Sequence, residues 1–346
     1  MFFRRKPVPQ RTRLEPLPGA IWQRAAFEGQ PAPQAATART TRGTMLLLTP
    51  LRGLGRAAGA GAMAFATSAL AAGARQMRAA SRPATSTLKV MSYNVRYGSD
   101  QPPHAWPERR AMVSACLRSV RADVIATQEA KYSQLRDLEA DLPEYRWIGL
   151  GRDGGSHGEF MAVFYRPRLL LPLEFDHFWL SDTPEVIGSA TWGNTSRRMV
   201  TWVRFRDRRT GHEFYFVNTH FDIKVPQARE WSSRLVLERV GGFEAGVPVI
   251  LAGDFNSIAG ASLAYEILVA PEAFVDTWST AVRRSGEGLG TYNDFGELPR
   301  DGKRIDWILC RGPVRVERAE IVTFAPDGQF PSDHLPVVAE LVFQKP

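Results

Sequence analysis

The run Val247-Pro248-Val249-Ile250-Leu251-Ala252, followed at once by Gly253-Asp254-Phe255-Asn256, most restricts what this chain can become. It is short, apolar and β-branched, which predicts a buried strand. Gly253 then closes the strand. Period-2 geometry sets Asp254 and Asn256 on one side of an extended segment. An aspartate can take a proton or hold a cation, and an asparagine can donate to an oxyanion. Polar groups at the mouth of a buried strand are where α/β proteins place chemistry. Alone, the pair would also suit an ordinary Asp/Asn turn. Further stretches of the same design weigh against that reading.

Leu88 to Tyr97 alternates like a strand and ends in polar residues. Residues 123–127 predict a second buried strand, ending in Gln128-Glu129. Between them, Met112, Ala115, Cys116 and Val120 fall at helical spacing over 107–120, with Pro107 at a plausible first position. A helix at 131–142 and a strand at 144–149 follow. The loop 149–159 is glycine-dense and polar but is not a P-loop, because no Gly-Lys-Ser/Thr follows. Strands are predicted at 160–165, 169–180, 198–206 and 212–220, the last ending in Asn218-Thr219-His220. A helix at 226–244 precedes the 247–252 strand. After a loop holding Thr291 and Tyr292, strands are predicted at 304–310, 314–323 and 335–343.

Charge divides the chain. Residues 1–88 hold 13 of the 44 Lys and Arg but only Glu15 and Glu28 among the acids, an excess of +11. Residues 89–346 hold the other 31 bases and 34 acids, a balance of −3. The net +8 therefore belongs to the N-terminal segment, and a long electropositive nucleic-acid groove is not favoured. Residues 1–44, rich in Arg, Pro, Ala, Gln and Thr, read as disordered. Arg52 and Arg56 then precede an Ala/Gly-rich run from Ala57 to Ala74. That run ends in the small-x-small sequence Ala69-Leu70-Ala71, so 45–74 resembles a weak export signal with Met45 as a candidate start. An exported or periplasmic location is expected over a cytoplasmic one. The run is too poor in Leu, Ile and Val for an integral membrane span. Residues 1–86 are expected to precede a single folded domain at 87–346. Cys116 and Cys310 are expected to be buried free thiols rather than a disulfide.

Five strands are expected to end in polar residues of complementary type: Asn94; Glu129; Asn218 with His220; Asp254 with Asn256; and Asp306. Ser332-Asp333-His334 stands just before the last strand. Gathered at one edge, these carboxylates would repel unless a hard divalent cation shared them. Oxygen ligands with few His and no Cys point to Mg2+ or Mn2+ rather than Zn2+.

Six motifs, in order, resemble the signatures of the endonuclease/exonuclease/phosphatase superfamily: Asn94 in Ser-Tyr-Asn-Val, Glu129 in Gln-Glu-Ala, Asn218-Thr219-His220, Gly253-Asp254-Phe255-Asn256, Ile305-Asp306 and Ser332-Asp333-His334. The resemblance covers about 87–343. It implies a four-layer α/β/β/α sandwich of two packed mixed sheets, and metal-dependent hydrolysis of phosphate esters. It further implies Glu129 as principal metal ligand, with Asn94 and Asp333 near the metal. Asp254 would position or deprotonate the attacking water, and Asn256 would hold a phosphoryl oxygen. His334, oriented by Asp306, would contact the phosphate, and His220 would do likewise on the leaving side.

Arg96 stands where DNA-repair members carry an acidic or amide residue, and His220 where they use an aromatic hydroxyl. His220 is closer to the deoxyribonuclease, sphingomyelinase and deadenylase branches. Glu159, His157 and Arg197, with Arg152, resemble a bacterial hydrolase branch of unassigned substrate, in which Glu159 and Arg197 would read the non-reacting part of the substrate. Asn218 and Arg96 are further candidate substrate contacts. The expected activity is hydrolysis of a phosphodiester or phosphomonoester by a monomer. The alternatives are a nuclease of exonuclease or deadenylase type, and a catalytically silent binding module on the same fold.

Overall fold

The computed structural model describes residues 87–344. The expected N-terminal segment and its export signal lie outside these residues. In chain order the first half runs β1 (Leu88–Asn94), α1 (Trp106–Val120), β2 (Val124–Lys131), α2 (Tyr132–Asp141), β3 (Arg146–Ile148), β4 (Glu159–Tyr165), β5 (Leu170–Trp179), β6 (Met199–Asp207) and β7 (Glu213–His220). The second runs α3 (Pro226–Gly241), β8 (Val249–Asp254), α4 (Leu263–Leu268), β9 (Val275–Asp276), α5 (Thr277–Thr280), β10 (Arg283–Ser285), β11 (Asp306–Arg311), β12 (Val314–Ile321) and β13 (Val337–Phe343).

The strands form two sheets, ordered β10-β12-β13-β1-β2-β4-β3 and β5-β6-β7-β8-β11-β9. Both are mixed: β1/β2 and β7/β8 pair parallel within otherwise largely antiparallel neighbours. Side-chain alternation builds the layers. Val90, Val124, Ala126, Phe214, Phe216, Ile250, Ala252 and Ile308 share one apolar cluster, contributed by both sheets. The intervening Met91 and Ile125 pack with Val113, Cys116 and Leu117 of α1 and Leu135 and Leu138 of α2. Likewise Tyr215, Val217, Val249, Leu251, Trp307 and Leu309 pack with Val236 and Val240 of α3 and Leu268 of α4. The result is the expected α/β/β/α order, with an apolar core contributed by both sheets between them. Each buried Val, Ile or Phe contributes about 1.5–3 kcal/mol, so a one-residue register slip, which exchanges the faces, is heavily disfavoured.

Local signals explain the helix ends. Pro107 and Pro226 occupy the first turns of α1 and α3, where a missing N–H costs nothing. Arg121 ends α1 in a left-handed conformation (φ 52) with its N–H on Leu117 O. Two expectations need correction. Gly253 lies inside β8 rather than ending it; a Cβ there would sit 2.3 Å from Thr219 O, so only glycine lets β7 and β8 approach. The stretch before the loop at Thr291 and Tyr292, to which no element was assigned, contains α4, β9, α5 and β10. These elements are two to six residues long, too short to show a period. They are held by local caps such as Ser262, which accepts from Tyr265 N, and Asp276, which accepts from Trp278 N. Cys116 and Cys310 are free and buried; burial pushes both thiols up to about 12. Among the described residues no helix is long and apolar enough to cross a membrane.

Candidate active site

At one end of the sandwich the inward-facing positions change from apolar to polar. Along β1 the series is Val90, Ser92, Asn94; along β7 it is Phe216, Asn218, His220; along β8 it is Ala252, Asp254. Register aligns these ends: Asn94 pairs with Gln128, His220 with Asp254, and Asp254 with Asp306. Asp306 opens β11 rather than closing it, because β11 runs antiparallel to β8. The apolar middle holds the sheets together, so the polar ends sit at fixed separation.

The chain bends at or just past the ends of these strands. Arg96 (φ 57), Glu129 (φ 66) and Asn256 (φ 47) all adopt the left-handed region. Glu129 also lies at a break in the β2/β4 register between Thr127 and Ala130. Such conformations cost about 1–3 kcal/mol each and persist only where the surroundings fix them. Here they are fixed. Asn256 N donates to Asp254 Oδ1 (2.9 Å) and its Nδ2 donates to Phe221 O (3.1 Å). The expectation that Asp254 and Asn256 share one side of an extended strand is therefore replaced by a turn that brings them together. Arg109, 1% exposed, donates to the carbonyls of Val95, Arg96 and Tyr97 after β1 and of Pro331 before β13. Sequence reading missed this residue, since it looks like one more charge on α1.

Asp254 is the centre. Its Oδ2 accepts from Asn94 Nδ2 (3.0 Å) and lies 3.3 Å from His220 Nε2 and 3.7 Å from His334 Nε2. Asn94 Nδ2 also donates to Glu129 Oε1 (3.0 Å), and Tyr97 N donates to Glu129 Oε2 (3.1 Å). His334 Nδ1 donates to Asp306 Oδ2 (2.9 Å). Burial raises the Asp254 carboxyl to about 7, with the neighbouring Asp306 charge adding to it and His334 opposing. Burial pushes His334 down, but Asp306 and Asp254 outweigh it and carry the imidazole up to about 10. His220 has no such carboxylate on Nδ1. Burial, then Arg198 and His334, hold it well below the usual value.

The remaining sequence candidates fall into three groups. Asp333 is buried and ion-paired to Arg96 (3.2 Å); burial raises its carboxyl. Glu159 accepts from Arg152 (2.6 Å) in a half-buried pair, and burial raises it also. Asn218 differs from expectation. Its Nδ2 donates to Thr127 O and Ala162 O, and its Oδ1 accepts from Gln128, so it ties the two sheets and has both donor hydrogens committed. Arg197 is exposed and donates to Gly188 O and Asp153 Oδ1, away from the buried centre's hydrogen bonds. His157 is exposed on the glycine-dense loop. Arg198, next to Arg197 in the chain, was not a site candidate, yet it is 4% exposed and its charge acts on Glu159, Asp254 and Glu129. Tyr292 was also passed over; its ring lies 5.1 Å from that of His334.

The donor chemistry suits a cation. Glu129, His220 and Asp254 each offer a ligand atom, all within 4.8 Å of one another, as do Asp254, Asp306 and His334. Asn256 Nδ2 stands 3.0 Å from His220 Nε2, which makes that nitrogen an acceptor beside the Asp254 oxygen. Two acceptors so close call for a positive group beside them. Glu129 and Asp254 share only the neutral Asn94 amide. Oxygen-rich ligation of this kind fits a hard divalent ion. Asp333 lies outside both three-donor groups and is neutralised by Arg96 instead.

Comparison with known proteins agrees with this geometry. A profile of the Endonuclease/Exonuclease/phosphatase family matches residues 91–334. A family protein from Bacteroides thetaiotaomicron is 33% identical and superposes with a TM-score of 0.71, covering 75% of this chain and 99% of its own. A mannosyl-6-phosphatase of Bacteroides thetaiotaomicron VPI-5482 is 33% identical with a TM-score of 0.69, covering 74% of this chain and 100% of its own. An uncharacterised protein of Acanthamoeba polyphaga mimivirus is 28% identical over 275 residues, 72% of this chain and 98% of its own.

Proposed function

The chain belongs to the endonuclease/exonuclease/phosphatase family of phosphoester hydrolases, and from that premise we propose a divalent-metal-dependent enzyme that hydrolyses a phosphate ester by direct attack of water. The observation that carries this reading is the convergence on Asp254 of Asn94, His220 and the His334–Asp306 pair, drawn from both sheets.

Glu129 would be the principal holder of Mg2+ or Mn2+, with Asn94 and Asp254 beside it, while Asp333 is neutralised by Arg96. When bound, the ion neutralises phosphate oxygens and stabilises the charge that grows in an in-line displacement. The protein's own groups do the rest. Asp254, raised by burial, orients the attacking water and takes its proton. Asn256 Nδ2, bonded to Phe221 O and His220 Nε2, holds His220 beside Asp254 rather than offering a free donor to a phosphoryl oxygen. The His334 imidazolium, held by Asp306, stabilises phosphate charge. His220, neutral, completes the hydrogen-bonded wall on the leaving side.

The mannosyl-6-phosphatase relative makes sugar phosphates a suitable first substrate group. A nuclease is the weaker reading, since residues 89–346 carry a balance of −3. We further propose that the working domain begins near Thr87 and that the segment before it directs export. A chain starting at Thr87 then folds and keeps activity, and N-terminal sequencing of the exported protein finds a cleaved form. The decisive assay measures hydrolysis of p-nitrophenyl phosphate and bis(p-nitrophenyl) phosphate with Mg2+ and with EDTA. Turnover only with the metal supports the proposal. Turnover persisting in EDTA, or none in either condition, overturns it.

A further inference from the structure

Arg198 immediately precedes β6, at the same end of the second sheet as His220. Thr219 Oγ1 donates to Met199 O, and Leu180 N donates to Arg198 O (2.8 Å), so the backbone position is fixed from both neighbouring strands. The side chain is buried, and its Nε and Nη1 have no hydrogen-bond partner among the described residues. No carboxylate of those residues lies within ion-pair distance of it, although Glu159, Asp254 and Glu129 are the acids whose charge it feels. Glu159, the acid whose charge acts on it most strongly, is already bonded to Arg152. A buried cation with idle donors is costly. Nothing in the packing of β5, β6 and β7 uses its charge.

We propose that Arg198 binds the non-bridging oxygens of the substrate phosphate, and that it fits this site to the dianionic terminal phosphate of a monoester rather than to a diester. This rests on the hydrolase reading above and names its substrate class. Guanidinium donors match phosphate oxygens in charge and geometry. A fixed, buried cation attracts a dianion twice as strongly as the single charge of a diester. The site's other arginines are engaged: Arg96 with Asp333, Arg152 with Glu159 and Arg109 with backbone carbonyls. One idle guanidinium serves a single phosphate. A diester backbone of nucleic acid would need a row of them.

The test compares wild type with Arg198→Gln and Arg198→Lys in the full chain. Each is assayed with Mg2+ on p-nitrophenyl phosphate and bis(p-nitrophenyl) phosphate, and each is titrated with inorganic phosphate by calorimetry. Arg198→Gln should lower kcat/KM for the monoester about 10²–10³-fold and for the diester less than about tenfold. It should weaken inorganic phosphate binding by at least about tenfold, while Mn2+ affinity measured by electron paramagnetic resonance stays within about twofold. The lysine variant should fall between, and it replaces the glutamine variant should that one not fold. Equal losses on both esters, or unchanged phosphate binding in a folded variant, overturn the proposal. If wild type hydrolyses neither ester, the hydrolase reading fails, and the phosphate titration still decides whether Arg198 binds the anion.

Discussion

His220, closing β7, and His334, in the turn before β13, approach the same Asp254 oxygen and are both buried. They end in opposite states. Burial drives both imidazoles toward neutrality. His334 escapes because Asp306 accepts from its Nδ1 and Asp254 lies near its Nε2. His220 has an orphaned Nδ1 and an Arg198 charge close by, so burial wins. The lesson is that a second carboxylate, and not depth, decides which histidine carries charge. The same fold end thereby holds one charged imidazole and one neutral one.

The comparison breaks most severely if its shared partner is removed. Asp254→Ala and Glu129→Ala should each lower Mg2+-dependent turnover by more than about 10³-fold while circular dichroism and melting show a folded chain. Wild-type-like rates in either would remove the assigned role. The next test takes away the second carboxylate. Asp306→Asn should turn His334 into a second His220, lowering its pKa from about 10 to below the usual histidine range and turnover by about 10²–10³-fold. Proton-detected titration of the imidazole reads the first effect directly. A His334 still charged above neutral pH would show that Asp306 is not the cause.

His220→Gln should cost less, about 10–10²-fold, and should leave both limbs of the pH–rate profile in place. In wild type those limbs belong to Asp254, which must lose its proton, and His334, which must keep its own. Activity therefore rises through the region near 7 and falls near 10, and a cation beside Asp254 draws the lower limb to more acid pH. Movement of either limb in His220→Gln would mean that this histidine titrates after all. The smallest effect concerns stability. Asp254 has a folded-state pKa of about 7 against 3.8 unfolded. Between those values the folded chain binds a proton that the unfolded chain does not, so this group's contribution to stability falls as pH rises. A cation competes with that proton. The rise in Tm on adding Mg2+ should be a few degrees larger at pH 8 than at pH 5.5; an equal or reversed shift would separate metal binding from Asp254.

Much of this arrangement could be read from strand parity. Val90 to Asn94, Phe216 to His220 and Ala252 to Asp254 each alternate apolar and polar in a way that marks one inward face and one polar end. Asn218 shows the limit of that reading. It has the parity of a site residue, but it lies two residues deeper than His220, where its amide meets Thr127 O and Ala162 O of the opposite sheet. Arg109 and Arg198 left no signal in the sequence, because a charged residue on a helix or before a strand is ordinarily solvated. The short elements between 258 and 303 were illegible for a related reason: they are held by caps and by neighbours such as Thr291, which accepts from Ile305 N and Asp306 N.

The sequence by itself determined most of the strands and helices and the chemical types at their polar ends, because period-2 burial and strand-end composition are local properties of the chain, while the layered order came from the resemblance of the six motifs. Only the tertiary structure decided which carboxylate meets which histidine, which arginines are buried, and which asparagine is structural. Those outcomes depend on the facing of two sheets and on left-handed turns at Arg96, Glu129 and Asn256, where contacts between residues far apart in sequence outweigh local preference.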